Sequence, residues 1–159
     1  MNSTTRLAAL NLPWRISAST TGPEDVSWLP VIELPIPERT TDTLGFGISN
    51  SGTWLVTKGD SVSSLSDGRV LMSALPMLSL GREVFESQLA EAITVAGLPL
   101  TVLAEFPIVH LIMQALNWET AGWMPFALKW IRLSEVRADR RNNLDMSRRV
   151  RYCGSLESS

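Results

Sequence analysis

The chain is written in two hydrophobic periods, one after the other. Over Trp14 to Ser19 apolar and polar residues alternate, with Trp14, Ile16 and Ala18 on one side and Arg15, Ser17 and Ser19 on the other. A period of two is that of a half-buried strand, and it predicts that Ile16 and Ala18 face a core. The turn cluster Thr21-Gly22-Pro23-Glu24-Asp25 follows. The apolar, β-branched run 26–34 comes next, where Pro30 removes a ladder donor and predicts an edge strand or two short pieces. Pro35-Ile36-Pro37-Glu38 reads as a stiff, extended connection. The clearest local signal is Asn50-Ser51-Gly52, set between the apolar runs 44–49 and 53–58. A short Asn/Ser/Gly loop supplies the positive φ angles that a tight hairpin needs. Asp67-Gly68 reads as a further turn, with 69–74 as the candidate returning strand.

Past residue 79 the period changes. Val84, Phe85, Leu89, Ala92, Ile93 and Ala96 recur at helical spacing, with Glu83, Glu86 and Glu91 beside or opposite them. Ser79 is the expected N-cap, and Gly97 followed by Pro99 is a stop signal. The run 100–106 fits a buried strand or a helix equally well. Pro107 suits the first position of a helix over 108–117. A last helix is expected from Met124-Pro125, with Phe126, Ala127, Trp130, Ile131 and Leu133 on one face and a Trp123–Phe126–Trp130 stripe if it starts early. The other face carries Lys129, Arg132, Glu135 and Arg137, and the helix fades near Arg140-Arg141. The pattern predicts an α+β fold: a mostly antiparallel sheet of four to five short strands (14–19, 26–34, 44–49, 53–58 and 69–74), packed against about three helices. Residues 1–159 are expected to form one domain, with a mobile polar tail over 142–159.

Composition narrows the class. Hydrophobic residues make up 45% of the 159 and charged residues only 19%, which excludes disorder for most of the chain and suffices for a core without staples. The lone Cys153 excludes an internal disulfide and any zinc site built on several cysteines. No basic segment followed by an apolar one opens the chain, so no signal peptide is expected and a reducing cytoplasm fits. The most apolar stretch, 92–118, is split by Glu105 into two uncharged runs of 13 residues. A membrane span needs about 20, so membrane insertion is not expected.

Most catalytic templates fail on counting. The one histidine, His110, lies in the apolar run Ile108-Val109-His110-Leu111-Ile112. Any triad must use it, and the expectation is instead a buried structural histidine bonded to a carbonyl or to a carboxylate such as Glu105. Neither a nucleophile elbow nor a zincin motif occurs. No transition-metal or calcium ligand set is apparent, and no cofactor is expected. Gly45-Phe46-Gly47 lacks the third glycine spacing of a dinucleotide fingerprint and precedes β-like sequence, so these glycines are read as places of close packing. The acidic pairs Glu24-Asp25 and Glu83 with Glu86 are expected to be solvated.

Charge is the most informative feature. Residues 129–151 hold eight basic side chains against three acidic ones, and seven of the eight are arginine. Residues 1–128 hold six basic and twelve acidic ones. An acidic body with a basic C-terminus offers two poles to a partner. The acidic pole comprises Glu24, Asp25, Glu38 and Asp42; the basic pole comprises Arg137, Arg140, Arg141, Arg148, Arg149 and Arg151. The expectation is a non-enzymatic protein that binds another macromolecule. The acidic pole is favoured because docking a mobile arginine tail costs entropy. In size and composition the chain is similar to the small immunity-type proteins that neutralise bacterial toxins, which implies a basic protein partner and no cofactor. Two alternatives stand beside it: a small enzyme with a carboxylate/Arg site near His110, and an assembly subunit whose arginine-rich C-terminus contacts nucleic acid.

Overall fold

A computed structural model describes residues 7–36, 39–117 and 122–132. Its first half holds five strands: β1 (Arg15–Ser19), β2 (Asp25–Ile36), β3 (Arg39–Ser49), β4 (Trp54–Lys58) and β5 (Ser61–Ser64). Successive strands pair antiparallel, and β5 then lies parallel to β1, closing a five-stranded barrel. The second half is helical: α1 (Gly68–Ala74), a 3-10 segment (Leu75–Leu80), α2 (Arg82–Val95), α3 (Thr101–Ala104), α4 (Ile108–Asn117) and α5 (Met124–Trp130). The α+β class read from the sequence is the class observed.

The strands have two unequal faces. One carries Leu29, Phe46, Ile48, Trp54 and Val56, which merge with helical side chains into the main core. The other lines the barrel and holds only Trp28, Leu55 and Val62, with Val26 partly buried beside them. A barrel this narrow cannot be filled with large side chains on every strand, and glycine supplies the missing room. A Cβ on Gly47 would lie 2.6 Å from Trp28 Cε3 and 2.7 Å from the Leu29 carbonyl oxygen. One on Gly45 would collide with the Thr57 hydroxyl. The β3–β4 turn uses the expected Asn50-Ser51-Gly52, with Gly52 at φ 89°. Strand β2 continues through Pro30 by means of an irregularity between Pro30 and Ile32 and pairs with both β1 and β3, so one long inner strand replaces the edge strand or two short pieces expected.

Side chains join the helices to the barrel at a few points. Phe85 of α2 packs against Phe46 of β3 (centroids 6.3 Å apart), Phe106 (5.2 Å) and Trp130 of α5 (5.6 Å). The Trp54 indole N–H donates to the Val102 carbonyl at 3.0 Å, and that of Trp130 donates to the Leu78 carbonyl at 2.8 Å. Among the described residues no helix is long and apolar enough to cross a membrane.

Four local expectations are corrected. Residues 69–74 are helical, because Asp67 is an N-cap whose carboxylate accepts the Arg69 N–H at 2.8 Å. The fifth strand is the polar Ser61–Ser64 instead. Ser79 caps nothing: α2 starts after Gly81 at φ 82°, and the Ser79 hydroxyl donates to the Pro76 carbonyl. On β1 the alternation is inverted. Ser17 points into the barrel and accepts the Trp28 indole N–H at 2.9 Å, which leaves Ile16 76% exposed outside.

Glu86 is not a simply solvated acid either. It accepts from Arg82 Nε at 3.1 Å and from Arg132 Nη2 at 2.7 Å, tying α2 to the chain after α5. Partial burial alone would raise its carboxyl. The hydrogen bonds from Arg132 and Arg82, with the charges of both, outweigh that and hold it below the ordinary glutamate value. The folded value is depressed, so the resulting stability is present above the ordinary value and lost as the pH falls through the folded one. We expect Glu86→Gln to be less stable than the parent at neutral pH and to lose less stability on acidification. Denaturation midpoints across that range check this, and parallel pH profiles for the two proteins would contradict it.

Candidate functional site

The predicted site residues separate into three groups. Glu24 is exposed in the β1–β2 turn, and Asp25, also exposed, opens β2. Asp42 falls within β3. Glu38 and all six residues of the basic pole, Arg137, Arg140, Arg141, Arg148, Arg149 and Arg151, lie outside the described residues, as does the tail 142–159.

Around Glu24 and Asp25 the register sets a definite surface. Ile16 pairs with Ser27 and Ala18 with Asp25, so these four side chains share the outward face of the β1–β2 ladder. Ile16 and Ala18 are exposed there, with Asp25 beside them and Glu24 in the adjoining turn. The reason lies on the opposite face: Ser17 must turn inward to meet Trp28, and the strand period then forces Ile16 and Ala18 outward.

His110 departs from expectation. It is exposed, not buried. In α4 the buried residues are Ile108, Leu111, Ile112, Ala115 and Leu116, and at 3.6 residues per turn position 110 falls on the opposite side. A mostly apolar run hid that geometry. Glu105, also exposed, joins His110 in lining two neighbouring cavities. One, of about 300 Å³, lies towards Trp54 and Leu71; the other, of about 670 Å³, extends to Arg82, Glu86 and Arg132. The arginines there are engaged with Glu86.

A third cleft, of about 550 Å³, opens at the barrel mouth that holds the β4–β5 turn. Its lining includes Arg15, Trp28, Glu33, Gly45, Thr57 and Asp60. Arg15 lies opposite Trp28 in the ladder, its guanidinium carbon 6.0 Å from the ring centroid. No motif joins these residues in sequence. The one signal was the pair of glycines in β3, which marks a place where the barrel wall carries no side chain. Among the described residues, no group of three or more His, Cys, Asp or Glu is arranged to hold a metal ion. Comparison with protein-family models, with curated proteins and with solved structures finds no match for this chain.

Proposed function

We propose that the protein is a non-enzymatic binding module that engages a basic partner protein through the outer face of its β1–β2 ladder. The observation that supports this is Ile16, 76% exposed on β1 where it pairs with Ser27 of β2, on the same face as Asp25 and with Glu24 in the turn beyond. A large apolar side chain held rigidly in a sheet loses little entropy on docking, and a flanking acidic rim favours a positively charged surface. The finer form of the reading is an immunity-type role, in which the partner is a basic, nucleic-acid-cleaving toxin and both proteins meet in the cytoplasm.

The test is capture of a partner from the source organism by the parent protein, followed by binding measurements with the purified pair at low and high salt. Glu24→Lys combined with Asp25→Lys is expected to slow association at low salt, with the difference shrinking at high salt. Ile16→Asp is expected to weaken binding at both, by roughly tenfold or more, as a buried apolar anchor would. His110→Gln is expected to change neither. Loss of binding in a folded His110→Gln protein would move the reading to the groove shared by Glu105 and His110. If only Arg140→Glu with Arg141→Glu weakens binding, or if the captured partner is nucleic acid, the acidic face is the wrong surface.

A further inference from the structure

The barrel-mouth cleft holds charges that the fold does not use. Neither Glu33 nor Asp60 makes an ion pair or a side-chain hydrogen bond with a described residue, and Arg15 has only its stacking on Trp28. Two carboxylates and one guanidinium thus line one cavity without neutralising each other. The wall between them includes Gly45, which carries no side chain, and the buried Trp28, fixed by its bond to Ser17. The volume, about 550 Å³, is in the range of small-ligand sites, about 300–1,000 Å³.

We propose that this cleft binds a free basic amino acid, L-arginine or L-lysine. Such a molecule carries two cationic groups and one carboxylate, the complement of two carboxylates and one guanidinium. Its carboxylate meets Arg15 in the bidentate fashion that guanidinium favours. Its two cations meet Glu33 and Asp60, and its aliphatic stem lies along Trp28 and Pro30. The space it leaves admits water bridging the longer contacts. An acidic amino acid would face two like charges, and a polyamine would leave Arg15 facing only cations. The cleft borders the proposed partner face at Ile16, which reaches its lining, but its ligand contacts are with other residues, and the β1–β2 turn with Glu24 lies at the opposite end of β1 from Arg15.

Calorimetric titration of the whole chain with defined probes tests it. L-Arginine or L-lysine is expected to bind and L-glutamate not to. Agmatine, which lacks the carboxylate, and Nα-acetyl-L-arginine, which lacks one cation, are each expected to bind about tenfold more weakly, the loss of one charge-assisted contact. Arg15→Gln should abolish the preference for arginine over agmatine. Glu33→Gln with Asp60→Asn should abolish arginine binding while the circular dichroism spectrum and denaturation midpoint stay unchanged, since all three side chains are exposed. Absence of heat and of thermal stabilisation with both amino acids at millimolar concentration would overturn the proposal. Equal affinity for arginine and acetyl-arginine, or binding that survives the double variant, would do the same.

Discussion

Phe85→Ala is expected to destabilise the protein by about 4 kcal/mol, within the range for truncating a fully buried phenylalanine. Phe85 has no solvent exposure, and its ring meets Phe46 from the barrel, Phe106 from the α3–α4 connection and Trp130 from α5. Removing it takes away the one aromatic ring among the described residues that touches all three parts, and the cavity is bounded by rigid rings that cannot collapse into it. A domain of ordinary stability, about 5–15 kcal/mol, would be brought close to its unfolding threshold. Phe85→Leu keeps most of the volume and should cost about 1.5 kcal/mol or less. Urea denaturation at constant slope separates the two variants. A cost under about 2 kcal/mol for the alanine variant would mean that the helices and barrel hold together without this cluster.

The second large effect is predicted for a substitution that adds a single methyl group. Gly47→Ala is expected to cost about 3 kcal/mol, the upper end for overpacking. Distances of 2.6 and 2.9 Å to the Trp28 ring and 2.7 Å to the Leu29 carbonyl oxygen are shorter than real Cβ contacts, so something must move. The carbonyl belongs to the β2 backbone, and the indole is tied to Ser17, so neither yields cheaply. Gly22→Ala is the matched control. A Cβ there meets nothing within 4 Å, and the change should stay within about 0.5 kcal/mol. Equal stability for the two variants would show that the barrel interior is looser than its packing indicates.

What could be read from the sequence follows the range of the interactions. The β3–β4 hairpin was legible because Asn50-Ser51-Gly52 sets its turn locally and the flanking runs bury one face. Helix α2 was legible because Phe85, Leu89 and Ile93 keep a helical period up to the glycine stop, where Gly97 sits at φ 79°. Residues 69–74 were misread because Asp67-Gly68 serves a turn and a helix start equally well, and only the Asp67–Arg69 bond decides between them. Strand β5 carries no apolar alternation beyond Val62, so its pairing with β4 and β1 was invisible. The exposure of Ile16 was hidden for a related reason: period two gives two faces but does not say which of them meets a core. Of the cleft only the β3 glycines left a trace, since Arg15, Glu33 and Asp60 come from separate strands and a turn that only barrel closure brings together.

That closure has a consequence for how the chain is made. Every other strand pairing is hairpin-local, but the seam joining β1 to β5 brings together residues 43 apart. A ribosome releases β1 first, so its outer edge waits bare until Ser64 has emerged. An unpaired edge is an invitation to neighbouring nascent chains. The seam is written in hydroxyls: Thr20 bonds Ser63, and Thr21 accepts the Ser64 N–H. Water can satisfy these groups during the wait and leave as they pair. A polar seam therefore lets the last and longest-range step of barrel assembly be postponed without exposing a sticky strand to the crowded exit of the ribosome.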